Sequence, residues 1–293
     1  MPSLKDVKNQ IAGVGKTKQI TKAMGMVASS KLRGAQLRIE RFRPYADKFG
    51  EMLGDLAART EAGAHPLLQE HATQQNVVIV LITSERGLAG GFNSNLTQAA
   101  FKLAKQKMAE GKSPRFICIG RKGRDAVRKG GFELLESFVD VMGSFNFMLA
   151  ARLGQLVSRL YVANEADEIY LVYSEFVSTT RQVARSMPLL PVEPQVNELG
   201  AEGGVSLEYV YEPEVSVLLG ELLPRYVNVQ LYRGLLDTSA SENAARMTAM
   251  DNATRNCDEL IESLTLLYNK TRQAAITNEL LDIVGGANAL QSQ

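Results

Sequence analysis

Met247–Tyr268, MTAMDNATRNCDELIESLTLLY, sets Met247, Met250, Thr254, Cys257, Ile261, Leu264 and Tyr268 at gaps of 3, 4, 3, 4, 3 and 4. Three heptads of seam on one helix face are the signature of a coiled coil. Pro224 is the last proline, so nothing from 225 to 293 interrupts a helix by its ring. The spacing predicts a helix from Glu214 to Val284, stopped by Gly285-Gly286. A single helix cannot bury such a stripe by itself, so the seam needs a partner.

The other end of the chain offers one. Residues 3 to 58 read as a second long helix, with Ser3 as N-cap and Asp6 three positions on. Leu4, Val7, Ile11 and Val14 recur at helical spacing, then Ile20, Met24 and Val27, then Ala28, Leu32, Ala35, Ile39 and Phe42. The jump from Val14 to Ile20 reads as a stutter in the heptad. Pro44 predicts a kink or boundary near Arg43. Uninterrupted, the helix would run ~80 Å at ~1.5 Å per residue.

Charge supports the pairing. Residues 1–43 hold ten basic and two acidic side chains, and residues 240–293 hold four basic and seven acidic. Ends of opposite sign attract each other or separate partners. If both helices leave one domain, antiparallel partners have residue numbers adding to about 272, within ~4 residues. Val14 would then face the neighbourhood of Cys257, and the C-terminal helix would overshoot its partner by roughly 16 residues.

The middle has another texture. Val77–Ile82 is a β-branched run followed by the turn Gly87-Leu88-Ala89-Gly90-Gly91. A helix from Ser94 to Met108, a strand at Arg115–Ile119 and a short helix at Asp125–Lys129 follow. Further on come a strand at Phe132–Val139, a helix at Phe147–Ala163, a strand at Glu168–Tyr173 and a last strand at Leu207–Tyr211. Pro188, Pro191 and Pro194 mark a loop before that last strand. Alternating strands and helices predict a small Rossmann-like α/β domain with a largely parallel sheet. The fold class is thus α/β, with a long antiparallel coiled coil of the terminal helices. The expected domains are 1–58, 70–210 and 214–285.

Composition removes several function classes. The net charge of +1 implies no polyanionic partner, and 45% hydrophobic with 22% charged residues excludes bulk disorder. The longest apolar run, near Val77–Ile82, is far short of the ~20 residues a membrane helix needs. MPSLKDVKNQ is too polar for a signal peptide. Two histidines, His65 and His71, make histidine-based catalysis and metal centres poor candidates, so no cofactor or metal is expected. Cys118 and Cys257 read as small hydrophobes in a reducing compartment.

Two motifs invite a sharper reading. Gly13-Val14-Gly15-Lys16-Thr17 resembles the end of a phosphate-binding loop, but the pattern needs glycine where Gln10 stands, and the residues lie inside a helix. The turn Thr83–Asn93 follows a strand and precedes a helix, where an anion can be cradled. It keeps open a small-ligand-binding α/β enzyme with helical arms as a competing function, beside a non-rotating coiled-coil scaffold. For the basic first helix, Pro44 and the scarcity of bulky apolar residues argue against nucleic-acid and membrane readings.

Other residues carry a specific resemblance. Ile20-Thr21-Lys22-Ala23-Met24 with Met26-Val27-Ala28, the turn Arg86–Gly91, Ala244–Met250 and Tyr268–Leu280 together resemble the gamma subunit of F-type ATP synthase. The resemblance implies a non-catalytic central rotor stalk that couples ion flow to rotational catalysis. Its implied partners are the alpha and beta subunits of the catalytic ring, the epsilon subunit and the c-ring. It further implies that Met24, Met26, Arg246, Arg272, Gln273 and Thr277 face the ring, and that Tyr209, Tyr211 and Glu212 lie near the c-ring and epsilon. Gly25 stands where the family often has Glu, and Lys16 where Asn is common. No regulatory cysteine insert follows Pro194. With no transit peptide, the expected setting is the cytoplasmic face of a bacterial plasma membrane, reached only through the complex.

Overall fold

The computed structural model describes residues 3–58, 65–192 and 215–291. These form α1 (Leu4–Ala58), a 3-10 turn (Pro66–Leu68), β1 (Asn76–Ile82), α2 (Phe92–Ala109), β2 (Ser113–Ile119) and α3 (Arg121–Lys129). β3 (Glu133–Phe138), α4 (Phe147–Val162), β4 (Glu168–Phe176), β5 (Gln182–Leu190) and α5 (Val215–Gln291) complete the chain. The expected strand at Leu207–Tyr211 lies outside the described residues. Two compact units emerge: a helical unit of residues 1–28 and 247–293, and an α/β unit of residues 29–246.

In the helical unit α1 and α5 run antiparallel. Ser3 and Asp6 close a reciprocal cap: Asp6 N donates to Ser3 Oγ at 3.2 Å and Ser3 N to Asp6 Oδ2 at 3.2 Å. Thr21 and Thr254 hydroxyls meet at 2.8 Å, and Lys18 pairs with Asp258. Paired numbers therefore add to 275 or 276, within one turn of the expected 272. Lys18, not Val14, is level with Cys257.

The expected stutter is absent. Ile20 is 60% exposed, while Lys18, Thr21 and the buried Gly25 occupy the seam between Val14 and Ala28. Polar and small residues hold these heptad positions because their partners are polar or close. A β-carbon on Gly25 would meet Asp251 Oδ1 at 3.3 Å and Met250 Cβ at 3.6 Å.

Neither helix ends at the residues that could have stopped it. α1 continues through Pro44. The carbonyl that this proline leaves without a donor belongs to Glu40, which is exposed to water, as is Pro44 itself. α5 runs through Gly285 and Gly286 to Gln291, since glycine lowers helix propensity without forbidding the conformation.

The α/β unit is built on a five-stranded sheet of order β3-β2-β1-β4-β5. β1 pairs in parallel with β2 and β4, and β2 with β3, while β5 runs antiparallel to β4. Every residue of β1 from Val77 to Ile82 is fully buried, as expected of a central strand covered on both faces. One face packs Val77, Ile79 and Leu81 against Phe92, Leu96 and Ala100 of α2 and Val127 of α3. On the other face α5 approaches so closely at Gly234 that a β-carbon would lie 3.1 Å from Leu171 and 3.2 Å from Ile82. There α5 is buried almost continuously from Leu235 to Ser241.

β5 corrects the expected loop at Pro188. Pro188 lies within the strand, opposite Tyr170, where the register slips by one residue. An edge strand with a bulge is where a sheet tolerates a residue lacking an N–H.

Candidate functional site: helical contact surfaces and a filled crevice

Open α/β sheets bind ligands beyond the carboxyl ends of their strands, where the strand order reverses. Here that point lies between β1 and β4, next to the glycine-rich turn. Beside it, the chain's own groups occupy the start of α3. Arg121 N, at the start of α3, donates to Glu85 Oε2 at 3.0 Å, and Val141 N to Glu85 Oε1 at 3.1 Å. Lys122 N donates to Ser84 O at 3.1 Å, Gly123 N to Thr83 Oγ1 at 2.8 Å and Arg124 N to Gly120 O at 3.4 Å. The first-turn amides of α3 are thus taken, with Glu85 acting as the anion, whereas α2, which follows the glycine-rich turn, has Gly91 as its N-cap and no side-chain cap.

Arg246 of α5 closes the crevice from above. Its guanidinium stands 2.8 Å from Glu242 Oε1 and donates to Gly87 O at 3.2 Å and to Arg86 O at 3.5 Å. Burial pushes the Glu242 carboxyl up, against the pull of Arg246. The clasp leaves Leu88, with φ of 61°, 63% exposed at the tip of the turn. The Glu242–Arg246 spacing of i, i+4 was the signal available in the sequence for this pair.

The other residues implied by the resemblance divide by level. In the helical unit Met24 is half-buried and Met26 is 62% exposed. Arg272, Gln273 and Thr277 are exposed, and the Thr277 hydroxyl donates to its own helix at Gln273 O, 3.0 Å away. By the observed register Met24 is level with Asp251 and Arg272 with Ser3, so the two groups stand ~30 Å apart along the helices. Arg246 lies in the α/β unit, and Tyr209, Tyr211 and Glu212 fall outside the described residues. Beyond the start of α1, the α5 tip presents Ile276, Leu280, Leu281, Ile283 and Val284, each at least 50% exposed.

The remaining chemistry is inward. Cys118 is fully buried, and burial pushes its thiol up to about 12, so it stays protonated and unreactive. Gly13–Thr17 is helix throughout, and the Thr17 hydroxyl donates to Gly13 O at 3.2 Å. No helix among the described residues is long and apolar enough to cross a membrane. Among those residues no group of three or more His, Cys, Asp or Glu is placed to hold a metal.

Fold and surfaces together define a class: an antiparallel pair of long helices and an α/β unit in one chain, with exposed apolar residues on the α5 tip. Comparisons with known proteins narrow it. The ATP synthase family pattern matches residues 3–290. The ATP synthase gamma chain of Nitratidesulfovibrio vulgaris strain Hildenborough is 62% identical over 291 residues, covering 99% of this chain and all of that protein. That of Lawsonia intracellularis is 54% identical over the same share of each. Among solved structures, the Tetrahymena thermophila mitochondrial ATP synthase central stalk and c-ring gives a TM-score of 0.60 at 29% identity, covering 80% of this chain and 99% of that one. A Euglena gracilis mitochondrial ATP synthase in rotational state 3 gives 0.69 at 20% identity, covering 99% and 95%. The chain belongs to the ATP synthase gamma-chain family.

Proposed function

We propose that this chain is the central rotor stalk of an F-type ATP synthase and is itself non-catalytic. The helical unit turns within a ring of alpha and beta subunits, and the α/β unit stands on the c-ring side with epsilon. The complex sits on the cytoplasmic face of a bacterial plasma membrane. Rotation then acts by differential contact: each orientation of the shaft favours one conformation of each beta subunit, so a ligand-free surface shifts populations at distant catalytic sites.

The observation that carries this reading is the unpartnered α5 tip. Ile276, Leu280, Ile283 and Val284 recur at i, i+4, i+7 and i+8 on one apolar stripe with Leu281 at its edge, the pattern of a helix that packs against something, yet all five are exposed. Such a stripe suits an apolar wall of the surrounding ring. Met26 and the exposed Arg272, Gln273 and Thr277 supply further contacts with the ring, and Arg246 sets the turn that carries Leu88. Tyr209, Tyr211 and Glu212 are proposed for the c-ring and epsilon side.

The test is reconstitution with the alpha and beta subunits of a bacterial ATP synthase. A stable complex with ATPase activity is expected, and a complex built with a chain cut after Thr271 should hydrolyse ATP more slowly or assemble less tightly. Failure of the full chain to enter a complex would refute the assignment.

A further inference from the structure

Asp237 stands where three elements of the α/β unit meet. Its carboxylate, only 3% exposed, lies on α5 with Arg43 Nη2 of α1 at 3.9 Å and Arg233 Nε at 4.0 Å. Neither distance is a hydrogen bond. Asp237 Oδ1 and Arg233 Nε are both buried without a hydrogen-bond partner. Around this carboxylate the end of β4 is stitched to both helices. Arg43 Nη2 donates to Phe176 O at 3.3 Å, Ser174 N to Thr238 Oγ1 at 3.2 Å and Ser241 Oγ to Ser174 O at 3.2 Å. The other charged or titratable groups facing it are Tyr173 and Glu175 of β4, Arg185 of β5 bonded to Glu175 at 2.8 Å, and Asp47 of α1, which accepts from Arg233 at 3.4 Å.

The grip between Asp237 and Arg43 is therefore charge without a hydrogen bond, and it changes with one proton. The carboxylate's neighbours Arg233, Asp47, Tyr173, Glu175 and Arg185 line a cavity of about 450 Å³. The place is mechanically sensitive as well: Arg43 adjoins Pro44, where α1 lacks a backbone hydrogen bond.

We infer that Asp237 is a protonation-sensitive joint: ionised, its buried and unbonded Oδ1 leaves the seat of α1 on β4 and α5 loose; protonated, it sheds that buried charge and the joint tightens. Burial pushes its carboxyl up to about 6 against the pull of Arg43, Arg233 and the Phe176 amide, which puts the switch within reach of mild acidification. The inference concerns the α/β unit alone and holds whether or not the chain rotates.

The experiment is hydrogen exchange with mass spectrometry on the full chain between pH 7.5 and 5, each rate normalised to intrinsic exchange. Peptides covering 40–49 and 172–178 should gain protection by about tenfold as pH falls, because the folded carboxyl takes up its proton before an exposed one would, with a midpoint near the carboxyl's own value. Asp237→Asn should abolish the step. Arg43→Gln, read on the 172–178 peptide, should raise the midpoint by about one pH unit, because it removes the nearer cation. A flat wild-type profile, a step retained in Asp237→Asn, or an unmoved midpoint in Arg43→Gln would each overturn the proposal. If Asp237→Asn does not fold, the wild-type profile and Arg43→Gln decide it.

Discussion

Gly25→Ala should stabilise the helical unit by about 1 to 1.5 kcal/mol, even though the glycine is buried in a seam. Alanine in place of glycine inside a helix is worth about 0.8–1 kcal/mol, and burying one methyl adds at most about 0.8 kcal/mol. Against this stands the 3.3 Å approach to Asp251 Oδ1. Asp251 is exposed, so its carboxylate can swing away by the few tenths of an ångström required, while Met250 at 3.6 Å is in ordinary contact. Hydrogen exchange of peptides 18–31 and 247–258 should slow by about 5- to 12-fold, because local opening sets the rate. Gly25→Glu makes the same backbone gain but adds a carboxylate beside Asp251. Two like charges ~4 Å apart cost about 1 kcal/mol even at the dielectric of water, so at low salt it should fall at least that far below alanine. High salt should narrow the gap. Faster exchange in Gly25→Ala, or a glutamate variant equal to alanine at low salt, would refute the reasoning.

Three further outcomes are expected. Lys18→Cys should form an intrachain disulfide with Cys257 under mild oxidation, scored by peptide mapping. Val14→Cys should not, because it sits one turn, ~6 Å, further along and outside the Cα range for a disulfide. Gly120→Ala should cost at least ~3 kcal/mol or prevent folding in urea titrations, since φ is 95° and the new β-carbon would lie 2.3 Å from Thr83 O. Acid should weaken the α/β unit through Asp167 and Glu168. Burial raises both carboxyls, but hydrogen bonds from Asn76, His71 and Gln75 to Asp167, and from Lys107, Lys112 and Tyr170 to Glu168, outweigh it and hold both below their ordinary values. Their contribution is therefore full above the ordinary carboxylate range and is lost as pH falls through the lowered values. Glu168→Gln should flatten part of the acid-unfolding curve, and an unchanged curve would count against the cluster.

Much of this was legible because it obeys a period. The α5 seam from Met247 to Tyr268 is where the spacing puts it, and the parallel strands follow β-branched runs. The α1 seam between Val14 and Ala28 was not legible: Lys18, Thr21 and Gly25 sit in it, and their suitability depends on Asp258, Thr254 and Asp251, more than 200 residues away. Leu235–Ser241 shows no stripe because that part of α5 is enclosed on all sides. β5 hid behind Pro188, which an edge bulge accepts. At the site, the glycine-rich turn was conspicuous but its partners were not, since nothing in Glu85 announces that it accepts from the first amide of α3, or in Arg246 that it clasps the turn from α5. Asp237, Arg43 and Arg233 meet only through tertiary folding.

The Thr21–Thr254 contact spans 233 residues of sequence, and that separation bears on how the protein is made. At about 5–20 residues per second of synthesis, Thr21 exists for roughly 12 to 47 s before its partner is even polymerised. Throughout that interval α1 has an apolar seam and nothing to lay against it, the condition under which nascent chains stick to one another. Ten basic side chains against two acidic ones in residues 1–43 give the waiting helix a strong like-charge repulsion. In a newborn chain that excess of positive charge is a solubility device, and only after α5 arrives does it become half of an attraction.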